Sequence, residues 1–324
     1  MSRTIAFIVN PQARGGRLGR AWPQIFALLQ NSLSTFDQCR TLISKQQGDC
    51  RILAQEAALS GASHVIAVGG DGTLNEVVNG LLDADTQSAD GSDPADPILG
   101  LLPYGTGGDF RTAIQMPFEI TKAADVFQHG TVRSLDVGRV ECAVGTGQMR
   151  NRAFLNVASC GISAEVSKRV NASRFRIGSR LPYFLATLKA LLRYRNAALR
   201  ITLDDGRDVS DLPDVKVVAI ANGPWFGGNM NIAPGALPDD GLFEVIAIRD
   251  PGFLTSLRHL RHLYDGTLKN LPEVTAWQAS TVRIECLSGT SNVAIELDGE
   301  TPGILPATFS IQKNAIRMIV PSLT

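Results

Sequence analysis

Short apolar runs alternate with helical patterns through the first third of the chain. The run TIAFIVN, residues 4–10, is β-rich and reads as a strand. AWPQIFALLQNSL follows with Trp22, Ile25, Phe26 and Leu29 at helical spacing. CRTLIS predicts a second strand and DCRILAQEAALS a second helix. HVIAV, the helical TLNEVVNGLL and the buried-strand pattern ILGLLPYG come next. This order argues for a parallel sheet with helices on both faces. Between the last two lies DADTQSADGSDPADP, residues 83–97, with five aspartates, which reads as a solvated loop.

Past residue 135 the texture changes. SLDVGRVECAVG, LRITLDDG, DVKVVAIANG, GLFEVIAIRD, STVRIECLSG and VAIELDGE are strand-like runs bounded by Gly, Asp and Asn. Only residues 180–196 and 251–264 carry a clear helical pattern there. The tail FSIQKNAIRMIV adds one or two strands. The expected fold class is α/β with two domains. Residues 1–135 are expected to form a parallel-sheet α/β domain, and residues 136–305 a mainly antiparallel β-sandwich.

The junctions between strands and helices carry the chemistry. HVIAV runs into Gly69-Gly70-Asp71-Gly72-Thr73, and a helix follows at once. First-turn N–H groups of a helix have no intrahelical partner, and its dipole places partial positive charge there. Glycines let backbone approach phosphate oxygens, so the junction suits an anion. A carboxylate at that place makes sense if Mg²⁺ lies between Asp71 and the phosphates; the alternative is a tight turn with Asp71 as a helix cap. LLPYGTGGDF repeats the logic at Gly105 to Asp109, and VNPQARGG does so after the first strand, where Arg14 and Arg17 are candidate phosphate contacts. Strand carboxyl ends are where open α/β sheets bind ligands. The P-loop, dinucleotide and protein-kinase signatures are absent.

Composition changes little. The 324 residues have net charge zero, which removes a bulk electrostatic case for nucleic-acid binding. Five cysteines without Cys-x-x-Cys spacing read as reduced thiols, not a zinc site. No stretch approaches the roughly 18 apolar residues of a membrane span. The expected location is the cytoplasm, at most peripheral to a membrane.

NPQARGG, GGDGTLNEVVNG, LLPYGTGGDF, LDVGRV, FLNVASCGISAEV, PGALPDDGLFEV and LDGE, in this order, resemble the diacylglycerol kinase catalytic-domain family, bacterial lipid kinases related to sphingosine kinases. The resemblance covers nearly the whole chain. It implies that residues 1–135, completed by 306–324, are a nucleotide domain like that of NAD kinases and phosphofructokinases, that 136–305 are a lipid-binding β domain, and that the site lies in the cleft between them. It implies ATP and Mg²⁺ as cofactors. Asn10, Ser44, Gly69, Gly70, Asp71, Gly72, Thr73, Asn75, Glu76, Gly105 and Thr106 would contact the nucleotide. The Asp240 carboxylate with the Leu237 and Leu242 carbonyls would bind a structural Mg²⁺; the alternative is an Asp-Gly turn opening the next strand. Glu300 would be the general base, with Asp71 the second catalytic residue; Asp298-Gly299 also reads as a hairpin turn. Gly108 stands where the family commonly has Asn.

The implied reaction is transfer of the ATP γ-phosphoryl group to a hydroxyl of a diacylglycerol-like or sphingoid lipid at a membrane surface. An NAD-kinase-like phosphotransferase with a soluble acceptor, and a nucleotide-binding regulator without catalysis, stay open. So does a homodimer. Residues 168–200 hold nine basic and no acidic residues, and Leu181, Phe184, Leu185, Leu188 and Leu192 share a helical face. That face suits either an anionic membrane or a protein core. His259 and His262 read as a surface pair, not a metal site.

Overall fold

The structure is a computed structural model and describes residues 3–87, 96–105, 108–145, 148–172, 194–287 and 292–322. Contacts divide the chain into two units. One runs to Leu135 and resumes at Asn314; the other spans Asp136 to Lys313.

The first unit contains β1 (Thr4–Val9), α1 (Ala13–Ser32), β2 (Gln38–Ile43), α2 (Asp49–Leu59), β3 (His64–Gly69), α3 (Asp71–Gln87), β4 (Ile98–Pro103), α4 (Asp109–Ala113) and α5 (Ile120–His129). The strands pair in parallel as β2-β1-β3-β4. β3 is buried at every residue, as expected for a parallel strand covered on both faces. Val9 lies opposite both Ile43 and Val68, and Gly69 opposite Pro103. That register lines up the carboxyl ends of all four strands. Residues 14–16 adopt left-handed φ values, so the regular part of α1 begins after Gly16.

One reading needs correction. The acidic loop expected from residue 83 is helical through Gln87, because Leu81, Leu82 and Ala84 continue the buried face of α3. Asp83 is not simply solvated. It accepts from Arg51 Nε at 2.5 Å and from Nη2 at 2.9 Å, bracing α3 on α2. Residues 88–95 lie outside the described residues.

In the second unit β6 (Gln148–Phe154) pairs with β5 (Thr131–Val144), β7 (Val157–Gly161) leads into α6 (Ile162–Ala172), and β8 (Ala197–Leu203) alternates buried and half-buried positions. The long β9 (Asp208–Ala221) pairs first with β8 and then with β7 on one side and β12 (Phe243–Arg249) on the other. The minor strands β10 (Trp225–Phe226) and β11 (Met230–Asn231) form a separate ribbon. β13 (Val274–Ala279), β14 (Thr281–Cys286), β15 (Ile295–Leu297) and β16 (Ile304–Val320) complete the set. One buried cluster joins Leu199, Ile201 and Val282 to Ala158, Val218, Val245 and Phe243, which makes a mainly antiparallel, two-faced β core. The tail forms a single strand: Ala307–Ser310 pair antiparallel with β14, and Met318 pairs parallel with Leu99 of β4.

The helical expectation for 251–264 appears as two short helices, Phe253–His259 and His262–Asp265. The apolar face centred on Leu185 lies outside the described residues. Arg200, at the end of the basic stretch, belongs to β8 and grips Asp211 through two bonds of 2.7 Å.

Candidate active site

Four strand ends of the first unit converge on one group of loops. Backbone bonds carry the ladders one step past the strands: Asn10 N donates to Val68 O, Ser44 N to Val9 O, and Tyr104 N to Gly69 O. Asn10, Ser44, Gly70 and Gly105 therefore lie in one row. The Asn10 amide donates to Thr73 Oγ1 at 3.0 Å, tying the first loop to the first turn of α3. Arg14 Nε donates to Gly105 O at 3.1 Å, with its guanidinium over the Tyr104 ring. Arg17 is exposed.

The glycines have distinct uses. A Cβ on Gly69 would stand 2.4 Å from Thr73 Oγ1, and one on Gly105 would stand 2.5 Å from Gly70 Cα. Gly69 makes room for the Thr73 side chain, and at Gly105 backbone meets backbone. Gly72 is exposed, and a Cβ there would meet nothing within 4 Å. Packing inside the protein does not demand glycine at 72.

Asp71 Oδ2 accepts from the backbone N–H groups of Gly108 at 3.0 Å and Asp109 at 3.3 Å. The carboxylate ties the two glycine loops together, and this use requires no metal. Gly108 takes φ 134, a conformation that an Asn side chain would strain. Thr106 lies outside the described residues. Glu76 likewise spends both oxygens on backbone, accepting from Gly48 N at 3.1 Å and Cys50 N at 3.2 Å. It thereby fixes the loop after Ser44. Asn75 Oδ1 accepts from Asn79 Nδ2 one turn along α3. Burial pushes the Cys50 thiol, beside Ser44 and Glu76, up to about 12, so it stays protonated and unreactive.

In the second unit Glu300 sits on a two-residue turn. Leu297 and Glu300 exchange backbone bonds of 2.8 Å, and Asp298 and Gly299 have φ 43 and 95, as a type I′ turn requires. The Glu300 residue is exposed. The Asp298 carboxylate accepts from the backbone N–H groups of Leu155 (3.0 Å), Asn156 (3.3 Å) and Val157 (3.1 Å). Three backbone donors at one carboxylate anchor the turn.

The loop with Asp240 is tied into the same framework. Asp240 Oδ1 accepts from Leu242 N at 2.9 Å, and the buried Asp136 carboxylate accepts from Gly241 N at 2.7 Å. The fully buried Asn222 amide donates to Asp136 O and Leu155 O, joining the Asp240 loop to the Glu300 turn. Sequence reasoning passed over the roles of Asp136 and Asn222, and read Asp298 only as part of the hairpin turn that the structure shows. The polar Asn222 at the end of the apolar run VVAIA was the available signal. One carboxylate and two carbonyls are hard oxygen donors, and Leu237 and Asp240 are exposed, so the donor chemistry fits Mg²⁺. Among the described residues no group of three or more His, Cys, Asp or Glu side chains is placed to hold a metal ion. His259 and His262 have ring centroids 5.7 Å apart; they face Glu273 and Asp265 respectively.

Beneath α6 the β unit holds a cavity of about 120 Å³, lined mainly by apolar side chains that include Ile162, Val166, Ile232, Leu260 and Val274. Its polar wall includes Ser163 and Lys216, whose ammonium is bound to Asp250 Oδ1 at 2.6 Å and Ser256 Oγ at 3.2 Å.

Residues 4–140 match the diacylglycerol kinase catalytic domain, and residues 156–320 match the YegS C-terminal NAD kinase beta sandwich-like domain. A diacylglycerol kinase of Bacillus subtilis is 30% identical, over 85% of this chain and 83% of that protein. One of Staphylococcus epidermidis is 30% identical over 99% of this chain and 93% of that protein. The crystal structure of a diacylglycerol kinase from Bacillus anthracis superposes with a TM-score of 0.69 at 23% identity, covering 98% of this chain and 97% of that one. A yeast NADH kinase shares the fold alone, at TM-score 0.50 and 11% identity over 99% of this chain and 84% of that one. No described helix is long and apolar enough to cross a membrane. With both domains matched in order and a relative 30% identical over most of its length, the chain belongs to the diacylglycerol kinase family, a family of kinases.

Proposed function

We propose that the protein transfers the γ-phosphoryl group of ATP to a hydroxyl of a diacylglycerol-like or sphingoid lipid. The observation that carries the nucleotide half is the open space at Gly72 beside the first turn of α3, where N–H groups without intrahelical partners meet the helix dipole. Asn10, Ser44 and Gly105 stand along the same row of strand ends, and Thr73 lies beside them on the first turn of α3. Asp71 and Glu76 act by holding the loops in place. Mg²⁺ would neutralise phosphate charge, and the Asp240 carboxylate with the Leu237 and Leu242 carbonyls would hold a second, structural ion.

A lipid hydroxyl is a weak nucleophile. Glu300, exposed on an anchored turn, accepts its proton while the oxygen attacks the γ-phosphorus and the bond to the β-bridging oxygen breaks, releasing ADP. The apolar cavity takes part of an acyl chain. Its volume is that of sites that hold a benzene-sized guest, so most of the chain lies elsewhere. The acceptor is presented at a membrane surface.

The test is phosphoryl transfer from labelled ATP with Mg²⁺ to lipids in micelles, for wild type, Asp71→Ala and Glu300→Gln. Wild type should label a lipid. Glu300→Gln should lose on the order of 10²–10⁴ in kcat while still binding ATP. Labelling only of a water-soluble acceptor, or none with ATP bound, would overturn the reading.

A further inference from the structure

A chain of buried polar side chains runs from the cavity wall to the Asp298-Gly299 turn, and the proposed reaction makes no use of it. Glu296 lies opposite Ser159 in the pairing of β15 with β7. Ser159 is fully buried, Glu296 is 4% exposed and Ser163 is 6% exposed. Ser159 Oγ stands 2.7 Å from Glu296 Oε2 and 2.8 Å from Ser163 Oγ. A hydroxyl carries one hydrogen, and an ionised carboxylate only accepts. Ser159 therefore donates to Glu296 and accepts from Ser163, which also lines the cavity. The other oxygen, Glu296 Oε1, accepts from Gly299 N at 2.5 Å.

Burying a carboxylate between Ile295 and Leu297 is costly unless its oxygens are satisfied. An apolar residue would match those neighbours. The carboxylate instead grips the amide immediately before Glu300. We propose that Glu296 is a positioning residue: it fixes the orientation of the Glu300 turn, and Ser159 and Ser163 fix Glu296. The Asp298 carboxylate anchors the turn from the Leu155–Val157 side. Two carboxylates thus hold consecutive residues of the turn while a third, on Glu300, stays exposed. The positioning role rests on the reading of Glu300 as general base.

Two readouts on the full chain test it. The first is amide hydrogen exchange at Gly299, followed by NMR in wild type, Glu296→Leu, Glu296→Gln and Ser159→Ala. Exchange should quicken at least about tenfold in Glu296→Leu and return toward wild type in Glu296→Gln, whose carbonyl can still accept from Gly299. Unchanged exchange in folded Glu296→Leu and Ser159→Ala overturns the proposal. The second is lipid phosphorylation. Glu296→Leu should lower kcat toward a hundredfold and leave KM for ATP unchanged. In a Glu300→Gln background the same substitution should change kcat by less than about twofold, since the two residues act as one unit. Equal losses in both backgrounds overturn the positioning role. A wild type that phosphorylates no lipid overturns the functional reading alone, and Gly299 exchange still decides whether Glu296 holds the turn.

Discussion

Gly105 presses so closely on Gly70 that a methyl group on Gly105 would stand 2.5 Å from Gly70 Cα. The two glycine loops are in backbone contact, and Asp71 Oδ2 ties the end of the second loop to the first. Gly105→Ala should therefore destabilise the first unit by about 1–3 kcal/mol, since neither backbone can yield. Gly72→Ala should leave the melting temperature unchanged and weaken ATP binding on the order of tenfold, read by calorimetry. Loss of stability at Gly72 with ATP affinity intact would show that ligand approach does not explain this glycine.

Asp298→Ala removes the acceptor of three backbone N–H groups. Leaving buried donors unsatisfied should cost about 2–4 kcal/mol, measured by urea unfolding. Asp298→Asn should lose less, because Asn tolerates the left-handed φ of 43 and keeps one carbonyl oxygen.

His64 is buried at the start of β3 and packs edge-on against Phe36. Burial first, then the charges of Arg3 and Arg317, lowers its pKa from 6.5 to about 4. In the unfolded chain the imidazole protonates near 6.5, whereas the folded chain resists protonation until about 4. Stability from this group is full above pH 6.5 and is lost as pH falls through that window. The slope should approach roughly 1.4 kcal/mol per pH unit and flatten in His64→Gln. Unfolding midpoints at a series of pH values measure it, and an unaltered slope in the variant would assign the acid sensitivity elsewhere.

Leu260 lines the cavity and is only half-buried, so a larger side chain can be accommodated there. Leu260→Trp should fill the space, raise KM for a long-chain lipid and leave turnover of a short-chain analogue near wild type. An equal effect on both lipids would place the acyl chain outside the cavity.

The α/β unit was legible because β1, β3 and β4 are short, largely apolar and buried runs and its glycines stand at strand ends. The loops were found, but the tasks of their side chains were not. Asp71 and Glu76 were read for a role at the nucleotide, and the structure adds that their carboxylates accept from backbone N–H groups of neighbouring loops. Such contacts join residues 26 to 38 positions apart, which local pattern does not encode. The end of α3 was misjudged because aspartates suggested solvent, while Arg51 on another helix supplied the counter-charge. In the β unit, Glu296 was invisible because its partner Ser159 comes 137 residues earlier and is brought opposite only by strand pairing.

The pairing of Met318 with Leu99 has a consequence for biosynthesis. Roughly two hundred residues separate the partners, so the edge of β4 stays uncovered until the segment around Met318 has left the ribosome. An apolar strand edge is a template for unwanted pairing. Nascent or truncated chains ending before residue 314 should depend on chaperones and aggregate, and the first unit should reach its full sheet only once residues 314–320 have emerged.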